Sequence, residues 1–154
     1  MSYLSFTEPL GGWRRCNANE RHTKRDWAEQ IRILLEEDYP DVEKVIIVLD
    51  NLNTHTISAL YERFPAPQAF RLAQRLEIHY TPKHGSWLNI AEIELSAFTS
   101  QCLNRRIASL SKMRNEVKSW ATKRNLNQKS VDWQFDLGEA RCKLKHLYPV
   151  INTD

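Results

Sequence analysis

Two carboxylates stand where their spacing could do chemistry. The aliphatic run Val45, Ile46, Ile47, Val48, Leu49 ends abruptly in Asp50, with Asn51 next. Such a run predicts a strand buried on both faces of a parallel or mixed sheet. A charge at its C-terminal end sits where open α/β sheets hold their ligands. Asp50 and Asn51 equally suit the opening of a simple turn. The second carboxylate, Glu92, falls in the first turns of the helix that follows the next strand. If the two strands are parallel neighbours, the start of that helix returns to the edge holding Asp50. A carboxylate pair is a hard oxygen site suited to Mg²⁺ or Mn²⁺. Two such ions about 3.5–4 Å apart can activate water and stabilise the leaving oxygen of a phosphodiester. Glu92 has a second reading, because Asn89 to Glu92 has the spacing of a capping box. Glu94 is a rival, but residues two apart on a helix point about 200° apart, so only one of the two acids can face Asp50.

The elements that must position these residues follow from pattern. Ser2 to Phe6 alternates as a strand, Gly11 and Gly12 mark a turn, and Trp13 to Asn17 returns. Thr23, with Asp26 three residues on, predicts an N-cap. Trp27, Ile31, Leu34 and Leu35 recur at helical spacing over Lys24 to Asp38, and Tyr39 before Pro40 ends that helix. After the strand from Lys44 to Leu49 come a helix over Thr56 to Phe64, breaks at Pro65 and Pro67, a short helix over Gln68 to Arg75, and a strand over Leu76 to Tyr80. Thr81 to Ser86 is a loop. Leu88, Ala91, Leu95, Phe98 and Cys102 stripe a long helix from Trp87 to about Arg105. A further basic helix starts at Ser109 or Ser111 and runs to about Arg124, followed by a polar loop over Asn125 to Ser130 and a last short helix or tail over Gly138 to Leu147. Strands alternating with helices predict an α/β fold.

With 154 residues and 42% hydrophobic content, the chain can bury one core. No apolar run approaches the roughly 20 residues of a membrane span, and no signal peptide opens the sequence. Cys16, Cys102 and Cys142 are odd in number and in no CxxC pair, which points to a reduced, cytoplasmic chain without a zinc site. From Asn104 to His146 there are 11 Lys or Arg against four acids, leaving the remainder acidic although the whole carries +3. That asymmetry suits a polyanion partner as well as solvated helix faces. Arg105, Arg106, Lys112, Lys118, Lys123 and Arg124 are candidates for phosphate contacts that position DNA without reading sequence. Lys83 and His84 lie in the loop before the Glu92 helix and fit either phosphate contact or a solvated loop.

Two motifs, Asp50-Asn51-Leu52-Asn53-Thr54-His55 and Tyr80-Thr81-Pro82-Lys83-His84-Gly85-Ser86-Trp87-Leu88-Asn89-Ile90-Ala91-Glu92, together resemble bacterial insertion-sequence transposases of the mariner superfamily. The resemblance implies a ribonuclease H-like mixed sheet flanked by helices and an Asp-Asp-Asp/Glu triad. It implies Mg²⁺- or Mn²⁺-dependent cleavage and strand transfer on double-stranded DNA at transposon ends. In it Asp50 is the second acid, Glu92 the third, and Asn51, His55 and Asn89 support them. The family's first Asp lies on a first strand upstream of two further strands and a helix. None of the nine acids before Asp50, Glu8 included, ends a buried apolar strand, and Ser2 to Phe6 looks more like the family's third strand than its first. The chain therefore resembles the C-terminal part of such an enzyme, truncated of its first strands. Residues 1–108 would be a partial catalytic core and 109–154 a basic helical extension of it. Two acids without the third imply a weak metal site and little activity alone. The alternative is a remnant that binds DNA or pairs with intact transposase and inhibits it. Loss of a central strand exposes the edge of the Val45 to Leu49 strand, which predicts a homodimer, pairing with an intact transposase, or a rearranged sheet.

Overall fold

The computed structural model describes residues 2–21, 23–49, 55–81, 90–104, 107–127 and 138, with residues 2, 90–93 and 103 described by backbone only. Strands β1 (Ser2–Glu8) and β2 (Trp13–Asn19) form an antiparallel hairpin in register from Ser2↔Asn19 to Glu8↔Trp13. Each strand runs two residues beyond its predicted end. The turn closes with the Gly12 N–H donating to the Glu8 carbonyl at 2.9 Å. Gly12 has φ 68°, a left-handed conformation that a residue without Cβ adopts at no steric cost.

Helix α1 (Lys24–Ile33) starts at the predicted cap. The Asp26 N–H donates to Thr23 Oγ1 at 3.2 Å, and the Thr23 N–H donates back to Asp26 Oδ2 at 3.0 Å. The winding widens to a π-type turn over Leu34–Asp38, so the helical run ends at the expected residue. Trp27, Ile31, Leu34 and Leu35 are all buried, as their spacing required. Past α1 the chain reverses under one side chain: the Arg75 guanidinium donates to the carbonyls of Leu35 (2.8 Å), Tyr39 (2.8 Å), Pro40 (3.3 Å) and Val42 (2.6 Å). Leu35 lies in the last turns of the helical run, where carbonyls lack intrahelical partners, and the other three lie in the reversal itself.

Strand β3 (Val45–Leu49) then pairs with β4 (Leu76–Tyr80) in parallel, in register from Val45↔Leu76 to Leu49↔Tyr80. Between them lie α2 (Ser58–Arg63) and α3 (Ala66–Gln74). Pro65 ends α2 as predicted, but Pro67 falls in the first turn of α3, where its missing N–H would have had no helical partner. Trp27, Leu35, Ile47, Leu60, Leu72 and Leu76 meet in the first core, which Phe6 of β1 also enters.

β3 is not buried on both faces. Ile47 is 8% exposed beneath the helices, whereas Ile46 and Val48 are 63% and 54% exposed on the opposite face. The long helix that follows β4 packs on the hairpin. It comprises α4 (Ile90–Phe98) and a π-type continuation over Thr99–Leu103. Helix α5 (Leu110–Leu126), capped by Ser109, runs two residues beyond Arg124 into the expected loop. Phe98, Cys102, Met113, Val117 and Ala18 form a second, smaller core. Phe98 is set between Tyr3 and Trp120 at ring separations of 5.2 and 5.0 Å.

The architecture is mixed α/β and compatible with a ribonuclease H-like fold. Among the described residues its strands form two separate pairs rather than one continuous sheet. No described helix is long and apolar enough to cross a membrane.

Candidate active site

Parallel pairing puts the C-terminal ends of β3 and β4 on one edge. The Leu49 carbonyl, in the peptide that leads into Asp50, accepts from the Thr81 N–H at 2.8 Å and from Thr81 Oγ1 at 3.3 Å. The Tyr80 hydroxyl donates to the His55 carbonyl at 2.8 Å. His55 is 6% exposed, and its ring is stacked on Trp27, with centroids 5.8 Å apart and planes at 23°. Both flanks of residues 50–54 are thus tied to the core and to β4. β4 ends at the same edge, with Thr81 following it, and the next described element is α4, whose backbone includes Glu92. Asp50, Asn51, Lys83, His84, Asn89, Arg105 and Arg106 lie outside the described residues, as does the side chain of Glu92.

Glu8 ends β1, yet it belongs to the other edge. Its Oε2 accepts from the Tyr39 hydroxyl at 2.7 Å. Tyr39 shares the Arg75 fork that precedes β3, and the Val45 N–H donates to the Arg75 carbonyl at 2.8 Å. Burial and then the Glu8 carboxylate push the Tyr39 hydroxyl well above the usual phenol range. From Val45 to Leu49 the strand advances four steps of about 3.3 Å each. Glu8 is therefore anchored at the start of β3, whereas Asp50 follows its end.

Glu94 has a structural partner set that sequence reasoning missed. It is 5% exposed, and each carboxylate oxygen meets a different arginine. Arg14 Nε of β2 lies 3.0 Å from Oε2, a charge contact without good hydrogen-bond alignment. Arg124 Nη2 of α5 donates to Oε1 at 3.0 Å. The Arg124 guanidinium also lies over the Trp120 ring, 5.2 Å from its centroid. Asn125 clamps the Arg14 backbone on both sides, accepting from its N–H at 2.9 Å and donating to its carbonyl at 2.8 Å. Burial lowers the Arg14 guanidinium from its ordinary pKa, Glu94 opposes that shift, and the Arg124 charge adds to it. The available signal was an acid among the apolar residues of α4, which needs a buried cation.

The basic candidates on α5 divide. Lys112, Lys118 and Lys123 are exposed; the Lys112 N–H donates to the Ser109 cap at 3.2 Å, and the Lys123 carbonyl accepts from the Asn127 N–H at 3.3 Å. Arg124 is committed to Glu94. Arg114, on the same helix, donates to the Ala18 carbonyl at 3.0 Å and fastens α5 to β2.

Residues 1–114 match the family model described as DDE superfamily endonuclease. The chain belongs to that family. No curated protein and no solved structure gives a match. Members of the family are transposase-type DDE domains that act on DNA and generally use divalent metal ions. In this DDE chain no group of three or more His, Cys, Asp or Glu side chains stands together among the described residues. The fit to a divalent cation therefore rests on donor chemistry. Asp50 follows a strand end fixed by Thr81, and α4 has two acids, of which Glu94 is already neutralised by arginines. Glu92 is the other carboxylate of α4, and a carboxylate pair is the donor type that suits Mg²⁺ or Mn²⁺.

Proposed function

We propose that this chain supplies the second and third acids, Asp50 and Glu92, of a mariner-superfamily transposase of insertion-sequence type, and that the first acid comes from outside the residues present here. The parallel β3–β4 pair carries this reading, because it sends the segments holding both acids from one edge. The order hairpin, helix, acid-tipped strand makes β1 and β2 the family's second and third strands in this reading, in place of the third-strand expectation for Ser2 to Phe6. A divalent ion bound by Asp50 and Glu92 would supply water activation and charge stabilisation at a phosphodiester. The chain's own residues do the rest. Thr81 and Tyr80 hold the two flanks of the Asp50 segment. His55 orients that segment through its stack on Trp27. Lys112, Lys118 and Lys123, with Lys83, His84, Arg105 and Arg106, hold duplex phosphates, and Arg124 acts mainly through Glu94.

A second reading is favoured by one observation. The β3 edge away from β4 carries no strand among the described residues, and Ile46 and Val48 are exposed beside it. Such an edge suits pairing with a second copy or an intact transposase, so the chain would regulate or inhibit transposition rather than carry it out.

Nicking of supercoiled plasmid in Mn²⁺ separates the two. The enzyme reading expects cleavage, slow for want of the third acid, that Asp50→Ala and Glu92→Ala each abolish. Cleavage no greater than in those variants, together with DNA retardation or self-association, supports the regulatory reading. Replacing Lys112, Lys118 and Lys123 by Ala should reduce the slope of log affinity against log salt by about one per lysine in either case.

A further inference from the structure

Helix α4 is held by two contacts one helical turn apart. Phe98 enters the second core between Tyr3 and Trp120, and Glu94 receives Arg14 from β2 and Arg124 from α5. Residues four apart lie on one helix face, so these contacts together fix both the rotation of α4 about its axis and its height against the hairpin. The apolar contact tolerates sliding, whereas the Arg124 hydrogen bond to Oε1, backed by the Arg14 charge 3.0 Å from Oε2, is directional. Glu92 lies two residues before Glu94 on the same helix.

We propose that Arg14 and Arg124 are positioning residues. By holding Glu94 they set the placement of Glu92 and thereby the affinity of the Asp50–Glu92 pair for a divalent cation. The proposal rests on Glu92 being the family's third acid. It also gives α5 a role beyond phosphate contact, since the helix that carries the exposed lysines is the one that locks the metal-binding helix.

The test compares wild type, Arg124→Met, Glu94→Gln and the triple variant Arg14→Met/Glu94→Leu/Arg124→Met. Amide hydrogen exchange is read across α4 and α1, and Mn²⁺ binding is read by calorimetry. In the first two variants we expect exchange in α4 at least tenfold faster with α1 unchanged. Supporting groups behind metal ligands typically contribute 10–100-fold in affinity, so Mn²⁺ binding should weaken by roughly that factor. Apolar replacement of a whole buried triad generally restores stability. The triple variant should therefore melt like wild type while Mn²⁺ binding stays weak. Unchanged α4 exchange in Glu94→Gln overturns the proposal. So does recovery of Mn²⁺ affinity along with stability in the triple variant, because the triad would then only hold the fold. A wild type that binds no Mn²⁺, or a Glu92→Gln variant that binds it equally well, instead overturns the assignment of Glu92. That failure is recognisable because α4 exchange would still respond to Glu94→Gln.

Discussion

The two cores hold their helices by different physics. Beneath β3 and β4, Trp27, Leu35, Leu60 and Leu72 pack as an apolar layer of helix on sheet. Beside the hairpin, α4 and α5 share a smaller set of apolar residues and a buried ion triad. The first core tolerates local readjustment, because apolar contact is non-directional. The second has little apolar area to spare and depends on three side chains contributed by β2, α4 and α5. The segment ending in Asp50 leaves the first support and the helix bearing Glu92 stands on the second. In the proposed site the two acids would therefore depend on different supports.

The largest expected effect is in the first core. Trp27→Ala should cost about 3–5 kcal/mol in urea-induced unfolding, since Trp27 is fully buried and backs the His55 ring. Loss of the whole fold, not of one region, is the expected result, and an intact second core in that variant would break the contrast. Met113→Ala should cost less, about 2–3 kcal/mol, and act regionally. Amides of α4 and α5 should exchange faster while those of α1 and α3 keep their protection. Equal loosening in both regions would show a single cooperative unit.

Thr23→Ala removes the α1 cap and should cost about 1 kcal/mol, seen as a small drop in thermal midpoint. Smallest is the double change Ile46→Ser and Val48→Ser. Both side chains are exposed, so the isolated chain should lose no more than about 0.5 kcal/mol. If that face serves pairing with another copy, the same change should abolish self-association in sedimentation. A change in stability without a change in association would sink the pairing reading.

Much of this was legible locally. Alternation and a glycine turn marked the hairpin, an unbroken aliphatic run marked β3, spacing marked the buried face of α1, and Thr23 with Asp26 marked its start. These signals lie within a few residues of what they specify. What sequence missed is non-local. The bare face of β3 depends on what packs against it, and nothing in Val45 to Leu49 records that. Arg14, Glu94 and Arg124 are 80 and 30 residues apart along the chain, so local pattern ranked Glu94 only as a rival to Glu92 and read Arg124 as a surface charge. Pro67 looked like a breaker because its N–H is missing, yet the first turn of a helix is where that absence costs least.

The two bonds that Thr81 makes to the Leu49 carbonyl have a mechanical consequence. They give both motif-bearing segments a common origin, as two arms share one pivot. A displacement of that shared pivot would carry the ends of β3 and β4 together, so the spacing between them is conserved.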